Sequence, residues 1–161
     1  MQNAALLLFL VFVFITNVLS QTSKPIFRSI DVSTVEKKRS IELGGDLSKN
    51  ADILIKIGDA FVLNGNFGNT ERIAVFVNSP GRVREIVFDY GARRDFTKLI
   101  DSYVKEFGKP SIKQSLSSAV LQVQMVAWSD GQTRFEIVEV AENGRSRISS
   151  AMVDTSTRAK P

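Results

Sequence analysis

The sequence has no cysteine and no histidine among its 161 residues. Without a thiol or an imidazole it cannot form a Ser-His-Asp triad, a Cys-His pair, a disulfide or the usual structural zinc site. Asp46, Asn50 and Asp52 lack the spacing of a calcium loop, and Gly44-Gly45 lacks the lysine of a phosphate loop. We therefore expect no metal, no cofactor and no catalytic residues.

An excess of charge of one sign is also missing. The chain carries 21 Lys and Arg against 17 Asp and Glu, and the net charge of +4 is spread along its length. A nucleic-acid-binding protein would concentrate basic residues in one stripe, so we expect no nucleic acid as partner. Hydrophobic residues make up 43% of the sequence, which is typical of a folded globular protein.

Charged residues are absent from the first 20 positions, which contain the apolar run Ala4–Ile15. A membrane-spanning helix needs about 20 apolar residues, and this run is shorter. It predicts a signal peptide over residues 1–20, cleaved after Ser20, with an uncleaved anchor as the alternative. We expect no membrane span after cleavage.

The mature chain is expected to form one domain over residues 21–154, followed by a flexible tail over 155–161. A cysteine-free exported domain is more typical of a bacterial envelope than of a eukaryotic secretory pathway. We therefore expect a periplasmic or secreted protein.

The clearest local pattern predicts an amphipathic helix that begins after Asp95. Six apolar residues recur at helical spacing, and they are Phe96, Leu99, Ile100, Tyr103, Val104 and Phe107. Asp95 is suited to cap the first turn, Gly108 to end the helix, and Pro110 to prevent its continuation.

A similar stretch begins at Asp46, 49 residues earlier, and predicts a second helix. Each predicted helix follows a strand-like run and precedes two more. The pattern indicates a strand-helix-strand-strand unit that occurs twice, over residues 40–77 and 83–140, although two capped amphipathic helices can also resemble each other by chance.

Turn signals separate the later strand-like runs and predict antiparallel pairing. They are Asn78-Ser-Pro-Gly81, Asp130-Gly131 and Asn143-Gly144. We expect an α+β fold in which both helices pack on one apolar face of the sheet, while the other face meets water. In the strand before Trp128, the alternation puts Leu121, Val123 and Met125 on the apolar side.

Four arginines, Arg82, Arg84, Arg93 and Arg94, bracket one predicted strand. A guanidinium group matches carboxylates and phosphates, so the cluster predicts contact with an acidic partner or a polyanion. Charges beside a strand also serve solvation and protect the sheet edge, and this alternative stays open.

Two aromatic residues are further candidates for binding. Trp128, the only tryptophan, is either an interface anchor or packed under the hairpin at Asp130-Gly131. Phe67 lies at the centre of a glycine-rich loop, where it is either an exposed contact residue or tucked into the core.

Carboxylates are the main groups available for acid-base catalysis. The pairs Asp89 with Asp95, and Glu136 with Glu139, are candidates for a glycan hydrolase. A helix cap and a solvated strand face explain the same residues, so we expect a protein that is not an enzyme.

The segment Phe107-Gly-Lys-Pro110, followed by Trp128-Ser-Asp-Gly131, resembles a helix-hairpin pattern of exported bacterial proteins. More distantly, the layout is similar to the beta-lactamase-inhibitor-protein and SmpA/OmlA group of envelope proteins. That resemblance implies a non-enzymatic module that binds an envelope or secreted protein. A glycan hydrolase and a weak binder of anionic lipid or polysaccharide are the alternatives. The sequence does not specify the partner or the oligomeric state.

Overall fold

A computed structural model describes residues 27–33, 38–63, 70–91 and 95–156. The predicted signal peptide lies outside these residues. Of the predicted tail, Thr155 and Ser156 are described. The backbone N–H of Thr155 donates to the carbonyl of Gln132 at 2.9 Å, and that of Ser156 to the carboxylate of Asp154, also at 2.9 Å.

Within these described residues, ten strands form two antiparallel sheets. The strands are β1 (Ser29–Asp31), β2 (Ser40–Glu42), β3 (Leu54–Ile57), β4 (Ala60–Leu63), β5 (Arg72–Val77), β6 (Val83–Gly91), β7 (Ile112–Ser117), β8 (Leu121–Ser129), β9 (Thr133–Glu142) and β10 (Arg145–Asp154). Strands β1 and β2 pair with each other. The other eight form one sheet in the order β3-β4-β5-β6-β10-β9-β8-β7.

The fold is therefore mostly β, with 57% of the described residues in strands, and the expected balance of an α+β fold is wrong. Three of the strands, β1, β3 and β7, were not predicted. The turns at Asn78–Gly81 and Asn143-Gly144 do connect antiparallel strands as predicted. Asn143 and Gly144 have φ of 50° and 76°, the left-handed pair that a tight hairpin needs.

One predicted helix is confirmed. Helix α1 (Phe96–Phe107) begins where the Asp95 carboxylate accepts a hydrogen bond from the Lys98 N–H at 3.1 Å. It ends at Gly108, whose φ of 77° is accessible to glycine and whose N–H donates to the Val104 carbonyl at 2.9 Å.

The apolar stripe of α1 packs against the sheet as its spacing requires. Ile100 is buried, and the other five apolar residues of the helix are partly buried against the core. The Phe107 ring lies edge-on to Phe27 at 4.4 Å, and Phe27 stacks on Phe135 of β9 at 5.0 Å. These contacts join the helix, the segment before β1 and the large sheet into one core.

The second predicted helix is a seven-residue 3₁₀ helix, Leu47–Ile53. Asp46 caps it by accepting from the Ser48 N–H at 2.9 Å. It stops because the next residues, Leu54-Ile-Lys-Ile57, form β3 and pair with β4. Alternating β-branched residues favour a strand, and 3₁₀ helices are seldom longer than a few residues.

The predicted strand-helix-strand-strand unit is also wrong. The strand before the 3₁₀ helix, β2, lies outside the large sheet, whereas the strand before α1, β6, lies near its centre. Each helix is followed by four strands that pair consecutively, β3 to β6 and β7 to β10. These two groups meet where β6 pairs with β10.

Candidate binding surface

The two faces of the large sheet follow from its register, because directly opposed residues in antiparallel strands project to the same side. One row across the sheet consists of Val75, Ile86, Met152, Phe135 and Trp128. All five are buried in the core with α1 and the β1–β2 hairpin. We call this side the covered face.

The neighbouring row projects to the opposite side, which we call the open face. It runs through all eight strands as Ile55, Val62, Ala74, Val87, Ala151, Glu136, Ala127 and Ile112. Glu136 is the single charged residue of the row, and it pairs with Arg134 at 2.9 Å. The open face is thus apolar along this row, although it is the side of the sheet that meets water.

The prediction that Leu121, Val123 and Met125 lie on the helix-covered side of the sheet is wrong. Met125 lies opposite Val138, and Val138 opposite Ser149, on the open face. The strand period of two decides this: once Trp128 enters the core, the odd-numbered positions of β8 must face the other way.

Large apolar side chains are well exposed on the open face. Ile55 is 50% exposed, Ile57 58% and Leu116 64%. Val140 lies opposite Val123, projects to the same face and is 39% exposed. Ile55 and Ile57 lie on the edge strand β3 and Leu116 on the opposite edge strand β7, with the less exposed side chains of the apolar row between them.

A concavity of about 480 Å³ lies on the open face between β3 and β10. Its floor consists of small side chains, Ala60, Val62, Ala74, Val87 and Ser149. Longer side chains surround the floor, and they are Ile57, Phe76, Arg72, Arg84, Glu85, Asp89 and Arg147. Small residues flanked by long ones give the otherwise continuous sheet surface its depression.

The charged part of the concavity is centred on Asp89. Its carboxylate accepts from Arg147 Nε at 3.2 Å and from Arg72 Nη2 at 3.3 Å. Partial burial raises the pKa of Asp89, but the hydrogen bonds from Arg147 and the Gly91 N–H, with the charge of Arg147, outweigh it and hold the pKa below its ordinary value. Asp89 is therefore ionised at neutral pH.

Three guanidinium groups stay accessible around this carboxylate. The side chains of Arg72, Arg84 and Arg147 are 55%, 51% and 63% exposed. Arg84 reaches Glu85 only at 3.9 Å. Because a guanidinium has five N–H donors, each arginine keeps donors that can meet an acidic partner.

The predicted arginine cluster is divided by the structure. Arg84 belongs to the open-face concavity. Arg82 instead forms a β-bridge with Asp46, and its Nη1 donates to the Gly44 carbonyl at 3.1 Å. Arg93 and Arg94 lie outside the described residues, as does Phe67.

Trp128 is buried, with 4% of its surface exposed. Of the two roles predicted for this residue, packing in the core is the one that the structure shows. Its Nε1–H donates to the carbonyl of Gly108 at 2.9 Å, which ties β8 to the end of α1. A surface anchor would need an accessible indole ring, and this one is packed beside Tyr103 and Phe135.

Two residues of the concavity, Arg72 and Arg147, were missed by sequence reasoning. They lie far apart in the chain and beside no cluster of charge. Only the antiparallel pairing of β6 with β5 on one side and β10 on the other brings them to Asp89.

The two predicted carboxylate pairs do not converge. Glu136 lies opposite Ala151 on the open face, while Glu139 lies opposite Ile148, whose side chain is buried. Asp89 is held by arginines and Asp95 caps α1. Among residues 27–33, 38–63, 70–91 and 95–156 there is also no group of three or more acidic residues placed to hold a metal ion.

No protein-family model matches the chain, and no curated protein matches it. The resemblance to the beta-lactamase-inhibitor-protein and SmpA/OmlA group stays a prediction. Within the described part of the chain, the helices are all too short or too polar to cross a membrane.

Proposed function

We propose that this protein is an exported, non-enzymatic module that binds another protein through the open face of its eight-stranded sheet. The proposal places it in the periplasm or outside the cell, in keeping with the apolar run Ala4–Ile15 at the N-terminus. The observation that carries the proposal is the nearly uncharged row of side chains from Ile55 on β3 to Ile112 on β7.

Burial of this row under a partner protein would explain why its side chains are apolar. A sheet with one solvated face normally alternates apolar and polar residues along each strand. Here the central strands β6 and β10 are apolar on both faces along this row, at Val87 and Ala151, and only the covered face has a partner within the described residues. A second partner would remove Ile57 and Val140 from water and gain roughly 25 cal/mol for each Å² of apolar surface buried.

The partner's contact surface is expected to combine apolar side chains with carboxylates. Three half-exposed guanidinium groups surround the concavity, and a carboxylate that reaches Arg72, Arg84 or Arg147 makes charge-assisted hydrogen bonds. The apolar side chains of Ala74 and Val87 on the floor of the concavity would contact the apolar side chains of the partner.

Capture from envelope extract tests the proposal with three substitutions of exposed residues. Ile57→Lys and Val140→Lys put a charge on the open face. Val120→Lys is the matched control, because Val120 is 64% exposed but lies in the turn between β7 and β8. We expect one stoichiometric protein with the wild type and the control, and at least about tenfold weaker capture with the open-face variants.

Two results would contradict the proposal. One is capture that open-face substitutions leave unchanged. The other is a wild-type dimer in sedimentation that Ile57→Lys dissociates, since the open face would then be a contact between copies.

The guanidinium groups also favour a second candidate, a binder of anionic lipid or polysaccharide. The two candidates differ in their response to salt. Binding to a polyanion weakens steeply as salt rises, whereas a protein interface with an apolar centre is much less sensitive.

The third expectation, a glycan hydrolase, has no support from the arrangement of Glu136 and Glu139 on opposite faces. Turnover of envelope glycans by the purified protein would revive it.

A further inference from the structure

A second cavity lies on the covered side of the sheet, where the 3₁₀ helix crosses its β3 end. Its volume is about 320 Å³. The sheet contributes Leu54, Lys56, Phe61 and Val77, the 3₁₀ helix contributes Leu47, Ser48 and Ala51, and the turn before β6 contributes Pro80 and Gly81. Small-molecule sites are typically apolar cavities of this size or larger, with a few polar groups that orient the ligand.

The lining is apolar apart from Ser48 and two charged residues, Asp46 and Lys56. Asp46 is already engaged, because its carboxylate accepts from the Ser48 N–H at 2.9 Å and its backbone bridges Arg82. Lys56 differs: among the described residues its ammonium group has no carboxylate within 4.0 Å. It lies over the ring of Phe61, 6.0 Å from the centroid.

The two charged residues belong to different parts of the cavity wall. Lys56 belongs to β3, the outermost strand, whereas Asp46 bridges Arg82 at the start of β6. Strands β4 and β5 lie between them, and three strand spacings correspond to roughly 14 Å. The backbones of Lys56 and Asp46 are thus separated by the width of two strands, and the apolar side chains of Phe61 and Val77 belong to those strands.

We propose that this cavity binds a small apolar carboxylate, with the ligand's carboxylate at Lys56 and its hydrocarbon part between Phe61, Val77 and the 3₁₀ helix. The ammonium group at the cavity edge selects an anion, and the apolar lining excludes strongly hydrated anions such as phosphate. The site is independent of the proposed protein-binding role, because it lies on the covered side of the sheet.

Octanoate is the probe, with octanol as its neutral analogue and octylamine as its cationic one. Each is titrated into the purified protein, and the backbone amide shifts of Leu54, Phe61 and Ala51 are followed by NMR. A ligand of about ten heavy atoms binds weakly, so the titration extends to about 10 mM. We expect octanoate to shift these amides at lower concentration than octanol does, and octylamine to bind most weakly.

Three variants locate the binding. Lys56→Met removes the ammonium group but keeps an unbranched stem, and roughly a threefold to fivefold loss of octanoate affinity is expected at this exposed position, with octanol unchanged. Lys49→Met is the matched control, because Lys49 is exposed on the 3₁₀ helix but does not line the cavity. Ala51→Trp fills the cavity and should abolish binding of both octanoate and octanol.

The proposal is overturned if octanoate causes no shifts up to 10 mM, or if Ala51→Trp binds it as the wild type does. It is also overturned if Lys56→Met and Lys49→Met have equal effects. The circular dichroism spectrum of each variant shows that loss of binding is not loss of folding.

Discussion

Asp89 on β6 accepts two hydrogen bonds from the guanidinium group of Arg147 on β10, at 3.2 Å from Nε and 2.5 Å from Nη2. The two residues are 58 positions apart in the chain. Their pairing lies on the open face at the junction of the two four-stranded groups. The ion pair therefore connects the halves of the sheet and also sets the charge of the candidate binding surface.

Replacement of Asp89 by Asn should destabilise the protein. The substitution removes the charge that holds Arg147 and Arg72, and it leaves those two arginines close together. Because both guanidinium groups are half exposed, the expected loss in free energy of unfolding is modest, about 1 kcal/mol. Urea unfolding at pH 7 measures it. Arg84→Gln is the control, since Arg84 lies in the same concavity but does not contact Asp89, and an equal loss there would contradict the assignment.

The same pair predicts a pH dependence. The pKa of Asp89 lies below its ordinary value of 3.8, so the folded state binds this proton less readily than the unfolded state. The stabilisation is present above pH 3.8 and is lost as the pH falls through the lower, folded-state pKa. Urea midpoints of the wild type should therefore decrease more between pH 5 and pH 2 than those of Asp89→Asn. Parallel curves for the two proteins would show that Asp89 does not contribute.

A buried hydroxyl pair near the same junction allows a double-mutant cycle. The Tyr90 hydroxyl lies 2.9 Å from Ser150 Oγ, and both residues are buried. Tyr90→Phe should cost about 1 kcal/mol of unfolding free energy, because it leaves the Ser150 hydroxyl with one partner fewer. Once Ser150→Ala has removed that hydroxyl, Tyr90→Phe should cost distinctly less. Additive single effects in urea unfolding would rule out a favourable contact between the two hydroxyls.

Two features of position 91, its backbone conformation and its closeness to Glu71, favour glycine, and substitutions can separate them. Its φ is 65°, and a Cβ atom there would lie 2.1 Å from a carboxylate oxygen of Glu71. Gly91→Ala should therefore lose about 1 kcal/mol from backbone strain and a further amount from displacing Glu71. In a Glu71→Ala background only the strain remains, so the loss should be smaller. Thermal unfolding of the four proteins measures both parts, and equal losses in the two backgrounds would mean that Glu71 moves aside freely.

Helix α1 could be predicted almost completely from the sequence. Its cap at Asp95, its apolar spacing and its end at Gly108 are all local signals within one stretch of chain. The hairpin at Asn143-Gly144 was predictable for the same reason, since two residues with positive φ favour asparagine followed by glycine.

Short strands gave weaker signals. Strand β3 has only four residues and directly follows the 3₁₀ helix, so its apolar residues could be read as a continuation of that helix. Strand β7 has six residues, and the polar positions Gln114 and Ser115 follow each other without clear alternation. Pairing with β4 and β8 decides their conformation, and pairing partners are not visible in a single segment.

The sequence by itself determined the local elements that depend on neighbouring residues: the helix, its caps and the tight turns. It also determined the absence of histidine and cysteine chemistry. The tertiary structure decided which face of each strand is covered, and it brought Arg72 and Arg147 to Asp89. The physical reason is that a strand has two equivalent faces with a period of two, and only packing of Trp128 and its neighbours against α1 selects between them.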